Sequence, residues 1–170
     1  MILACYDGSA DANAAIDHAA RLMPGAETTV LAVWEPFRVA LSRTGGMGMG
    51  MGAAYPDNGE FDAATEAAAQ ARATEGAARA TAAGLVAEPR IAVRDDGVAG
   101  AILAVADELD ADAIVVGTRG LTGLRSMLLG SVSHAVLQHA NRSVIVVPSA
   151  AVAEERSEWV HRRDAAISAA

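Results

Sequence analysis

From Gly117 to Ser133 the chain reads GTRGLTGLRSMLLGSVS, a run broken by glycines and closed by two serines. Glycines let backbone N–H groups approach an anion closely, and the first turn of a following helix adds partial positive charge. Ser131 and Ser133 bring hydroxyls to that turn, while Arg119 and Arg125 bring the charge that neutralises a phosphate. Such a set suits phosphate binding. The same glycines also suit a plain turn, and glycine alone does not decide between the two.

Other residues with chemical potential are weaker. Asp7, followed by Gly8 and Ser9, reads by itself as a turn or helix-cap aspartate. Cys5 lies within an apolar run and reads as a small buried hydrophobe. His134 and His139 are five apart on a helix, so they do not share a face as a metal pair would. Gly48, Gly50 and Ala53 fit the outline of a dinucleotide fingerprint, yet they lie far past their strand in a repetitive loop, which excludes a Rossmann turn. Ser9 lacks the GxSxG surroundings of a hydrolase nucleophile. No catalytic base or nucleophile emerges, so any hydrolysis of a bound ligand should be slow.

Composition narrows the chemistry further. The 170 residues carry a net charge of -8, and all 13 basic residues are arginine. Without lysine there is no P-loop lysine, no Schiff base and no lysine general base. The acidic balance argues against binding DNA or RNA. Within that acidic chain, the stretch from 113 to 153 contains no acidic residue and holds Arg119, Arg125 and Arg142. A single cysteine cannot form an internal disulfide, and the apolar runs are far shorter than the roughly 20 residues of a membrane span. A soluble cytoplasmic domain without a membrane partner is the expectation.

The elements that must position the glycine run follow from periodicity. Met1 to Tyr6, Thr28 to Val33, Val86 to Val93, Ala113 to Val116 and Ser143 to Val147 are short runs rich in Val and Ile, which read as five strands. Most are apolar nearly throughout, as strands covered on both faces are. Between them lie helical segments. Ser9 caps the first, residues 59 to 83 form an Ala-rich second closed by Gly84, Asp95 or Asp96 caps a third, and Ser131 caps a fourth with Val132, Ala135, Val136 and His139 facing inward. This alternation predicts an α/β fold, a doubly wound five-stranded parallel sheet with helices on both faces. Strand orders 3-2-1-4-5 and 2-1-3-4-5 both remain open on pattern alone. In the first, a ligand sits beyond the carboxyl ends of strands 1 and 4, at Asp7 and Gly117.

Gly117-x2-Gly120-x9-Gly130-Ser131 resembles the nucleotide-binding signature of the universal stress protein family, G-x2-G-x9-G-S/T, without gap or substitution. The opening ILACYDGS and the closing NRSVIVVP resemble that family too. The likeness covers residues 1 to 148 and implies the 3-2-1-4-5 order. It also implies that ATP or a related adenine nucleotide such as AMP is held by Gly117, Thr118, Arg119, Gly120, Gly123, Gly130, Ser131, Val132 and Ser133. Asp7 then meets the ribose or a phosphate-bound Mg2+, Cys5 lies near the nucleotide, and Val33 contacts adenine through its backbone. A homodimer through the last strand, Ser143 to Val147, is implied as well, and it would cover an apolar edge.

The expected function is therefore a nucleotide-binding stress protein with a regulatory or stress-tolerance role. The alternative is an adenylating enzyme of the adenine-nucleotide α-hydrolase type. That enzyme needs a Ser-Gly-Gly-x-Asp-Ser loop after strand 1, which YDGSADA matches poorly. Two segments depart from the family pattern: a Met-Gly loop at about 38–57, expected to be flexible, and a tail at 149–170, expected to be partly helical.

Overall fold

The computed structural model describes residues 1–37, 39, 59–94, 97–120 and 129–158. The chain alternates strand and helix as β1 (Ile2–Cys5), α1 (Ala10–Leu22), β2 (Glu27–Trp34), α2 (Gly59–Ala82), β3 (Val86–Val93), α3 (Val98–Glu108), β4 (Ala113–Gly117), α4 (Ser131–His139) and β5 (Ser143–Val147). All five strands are parallel, in the order β3-β2-β1-β4-β5. The ligand crevice of such a sheet opens where neighbouring crossovers leave in opposite directions, here between β1 and β4.

Successive strand residues point to opposite faces, and each face has its own core. Ile2, Ala4 and Val30 pack with Ile16 and Ala19 of α1 and Ala77 and Ala80 of α2. Leu3, Leu31 and Ile114 pack on the other side with Ile102 and Val105 of α3 and Val136 of α4. Leu3, Ile16, Leu31, Ile102 and Ile114 are fully buried, each worth roughly 1.5–3 kcal/mol of transfer from water. Alanine lets α2 lie close to the sheet, with Ala69, Ala73, Ala77 and Ala80 buried along one stripe. Pro89 lies in β3, an edge strand, where the missing N–H is tolerated.

The helix starts differ in part from expectation. Ser9 does cap α1, its Oγ accepting a bond from the Ala12 N–H at 3.1 Å. Asp95 and Asp96 lie outside the described residues, and α3 begins at Gly97, whose φ of 93° no other residue adopts readily. The cap of α4 is Gly130, so Ser131 is the first helical residue and not the cap. His139 is exposed instead of inward, because the helix buries only Ser133 and Val136 fully. The Met-Gly loop lies outside the described residues apart from its Val39. After β5, residues 150–158 are helical, and Trp159 lies outside the described residues. Among the described residues no helix is long and apolar enough to cross a membrane.

Candidate functional site

A cavity of about 470 Å³ opens at the carboxyl ends of β1, β2 and β4. Its size is that of a small-molecule site. One end, on the β2 side, is apolar, built from Leu31 and Val33 of β2 with Val98 and Ile102 of α3. The opposite end holds Gly117, Arg119, Gly120, Gly130, Ser131, Val132 and Ser133, and Cys5 and Asp7 lie between them at the end of β1. The fold thus gathers residues more than a hundred positions apart in sequence. Of the anticipated residues, Thr118 does not line the cavity and Gly123 lies outside the described residues.

Thr118 instead holds the loop in shape. It is 1% exposed, and its hydroxyl donates to the carboxylate of Asp11. Its carbonyl accepts from the Gly130 N–H at 2.6 Å and from the Ser133 hydroxyl at 2.9 Å, which closes the loop onto the start of α4. Ser133 therefore lines the cavity with its hydroxyl already engaged. Ser131 is exposed at the same helix start, where the α4 dipole favours negative charge.

Asp11, in the first turn of α1, is a residue that the sequence pattern does not single out. It is 5% exposed and accepts from the Arg119 N–H at 3.0 Å and the Ser149 N–H at 3.3 Å besides the Thr118 hydroxyl. Burial alone would raise its pKa, but the bonds from Ser149, Thr118 and Arg119 outweigh it and hold the carboxyl below the usual aspartate value. One carboxylate thereby ties α1, the glycine loop and the tail together. The tail helix makes a second contact there, Glu155 Oε2 lying 3.5 Å from Nη2 of Arg119.

Asp7 forms the turn into α1, its Oδ1 accepting from the Ser9 N–H at 2.9 Å, and it still lines the cavity. The turn reading and the site reading are compatible. Cys5 faces the cavity as a protonated thiol, since burial, with the Asp7 charge adding, pushes its pKa up to about 12. Tyr6, also missed, donates its hydroxyl to Glu75 at 2.8 Å, and the same oxygen lies 3.1 Å from Oδ1 of Asn13. Its hydroxyl is likewise raised to about 12, by burial first and the Glu75 carboxylate second. Arg72 of α2 is a further lining residue that the Ala-rich helix pattern concealed.

The family model described as "Universal stress protein family" matches residues 1–148, the whole sheet together with this loop. The chain belongs to the universal stress protein family. Among curated universal stress proteins, YxiE of Bacillus subtilis is 50% identical over 46 residues, 27% of this chain and 31% of YxiE. The alignment thus spans about a third of that relative's length. A solved universal stress protein from Archaeoglobus fulgidus superposes with a TM-score of 0.60 at 25% identity, covering 86% of this chain and 96% of that one. A universal stress protein solved in complex with cAMP superposes with a TM-score of 0.59 at 24% identity, covering 88% and 97%.

Proposed function

We propose that this universal stress protein binds an adenine nucleotide in the cavity between β1 and β4 and acts as a nucleotide-responsive regulatory module in stress tolerance. The observation that carries the reading is the cavity itself: an apolar slot beside Val33 that fits a purine, facing a glycine loop and the α4 start that fit phosphates. A relative of the same fold is known in complex with cAMP. ATP is the ligand we favour, with AMP and other adenine nucleotides as close relatives in chemistry. Asp7 would then take the ribose or a Mg2+ carried on the phosphates, and Ser131 a phosphate oxygen.

The chemistry of the side chains favours binding over group transfer. The one thiol at the site stays protonated at neutral pH. Ser9, the serine nearest Asp7 in sequence, caps α1. Mass spectrometry of nucleotide released from the purified protein, followed by calorimetry with ATP and magnesium, tests the reading. Recovery of an adenine nucleotide supports it, and failure to bind any of them overturns it.

Pairing of two β5 strands across a two-fold axis is part of the proposal, as is a cytoplasmic location. β5 lies at the sheet edge, with Val144, Ile145 and Val146 only half-buried. Light scattering at micromolar concentration should give twice the 17.3 kDa of one chain. A purely monomeric species would remove the dimer.

A further inference from the structure

The charged residues lining the cavity are Asp7, Arg72 and Arg119. Arg119 is paired with Glu155, and Arg79, Arg90, Arg94 and Arg142 also pair with carboxylates. Arg21 is hydrogen-bonded to His18, and Arg156 is also engaged. Among the described residues Arg72 is the one arginine without a hydrogen bond or ion pair, although it is half-buried. In a lysine-free chain, it is the positive charge on the cavity wall that no described carboxylate offsets.

Its place in the fold is defined by Glu75, one turn later on α2. Glu75 accepts from the hydroxyl of Tyr6, the residue before Asp7. Because α2 carries the chain from the carboxyl end of β2 back toward the start of β3, earlier residues of the helix lie nearer the carboxyl edge. Arg72 is three residues earlier, about 4.5 Å further toward that edge, and it lines the same cavity as Asp7. Arg72 and Val33 also line a second, shallower cleft beside Trp34, Glu35 and Thr65, so the arginine stands on the rim between the two. The glycine loop forms the opposite wall.

We infer that Arg72 selects for the charge of the ligand: its guanidinium takes a phosphate oxygen from the wall facing the glycine loop, so that nucleotides are bound in preference to nucleosides. The inference rests on the nucleotide reading above and extends it to a residue outside the glycine signature. A guanidinium suits this role because it stays charged at every working pH and offers several donors to phosphate.

Calorimetry of the full chain with ATP, AMP and adenosine, for the wild type, Arg72→Gln and Arg72→Lys, tests it alongside thermal melts. Arg72→Gln should melt close to the wild type, since the side chain has no described partner to lose. It should bind ATP and AMP roughly tenfold or more weakly, the loss of one charge-assisted bond, while adenosine affinity stays the same. Arg72→Lys should recover part of the loss. An equal loss for adenosine and AMP would place the guanidinium on the base and overturn the inference. Unchanged ATP and AMP affinity would overturn it while leaving the nucleotide reading intact. A wild type that takes up none of the three would remove that reading and this inference together.

Discussion

A Cβ on Gly120 would stand 2.7 Å from Oδ2 of Asp7. The glycine loop and the end of β1 therefore approach so closely that a side chain at 120 must displace the aspartate. A Cβ on Gly117 would meet the backbone carbon and the Cβ of Asp11 at 2.8 Å, so that glycine makes room for the first turn of α1. Two glycines of one signature thus answer to different neighbours, one movable and one not. Gly120→Ala should fold and melt like the wild type but bind ATP more weakly, because Asp7 is pushed from its place. Gly117→Ala should lose about 1–3 kcal/mol of stability by overpacking, which lowers the melting temperature by about 2–4 °C per kcal/mol. Paired melts and titrations check both, and a fully stable Gly117→Ala would contradict the packing argument.

Asp11 gives the stability a pH dependence with a definite sign. Its hydrogen bonds hold the folded-state pKa below the ordinary value, which the unfolded chain retains. Stability from this carboxylate is therefore complete above about pH 4 and is lost as pH falls through the folded value. Asp11→Asn removes the charge that strengthens the bonds from Thr118 and Arg119, and should cost about 1.5–3 kcal/mol at pH 7. Urea midpoints measured between pH 3 and pH 8 should show a constant gap from wild type down to about pH 4, narrowing below it. A gap that widened in acid would contradict the assignment.

Much of this arrangement was legible before the structure. Most of the strands followed from apolar runs, because strands covered on both faces leave no polar alternation; β3, a half-exposed edge strand, keeps Glu88 and Arg90. Their order did not follow from the runs; the family resemblance implied it, and the sheet has that order. Asp7 and the glycine loop were placed together by the switch-point rule. What stayed hidden depends on register across distant elements. Asp11 looks like a helix-dipole acid until β4 brings Thr118 against it, 107 residues away. Arg72 looks like one exposed charge in an alanine helix until α2 is packed on β2 and β3 at the edge of the cavity. The exchange of roles between Gly130 and Ser131 turns on a single residue of helix phase, which local propensity does not resolve.

Ser131 and Ser133 sit in the same turn but should respond differently to truncation. The Ser133 hydroxyl is buried and bonded to the Thr118 carbonyl, so Ser133→Ala should lower stability by about 1 kcal/mol. Its effect on ATP should be indirect and small. Ser131 is exposed at the cavity, so Ser131→Ala should leave the melting temperature unchanged and weaken ATP by up to about tenfold. Melts and calorimetry on the pair would separate the roles. The reverse pattern would show that Ser133 and not Ser131 is the ligand's partner.

Gly130→Val is the most direct test of the loop. Gly130 has φ of -68° and ψ of 159°, extended backbone that valine adopts freely, so the substitution carries no conformational penalty at that residue. Space is the issue. A Cβ there would lie 3.2 Å from the Thr118 carbonyl oxygen, a contact that a few tenths of an ångström of movement would relieve, and at an ordinary 3.6 Å from the Ser133 hydroxyl. That movement strains the 2.6 Å bond from the Gly130 N–H to Thr118, which sets the spacing between loop and helix. Two further methyl carbons would then crowd the face where phosphates are proposed to lie. The variant should remain folded by circular dichroism, with only a modest drop in melting temperature. Each charge-assisted bond lost should weaken ATP by roughly 1.5–3 kcal/mol, about one to two decades in Kd. Gly130→Ala, which lacks the branching methyls, should fall between valine and wild type. If folded Gly130→Val binds ATP as the wild type does, the loop is not the phosphate site and the glycine signature serves packing alone.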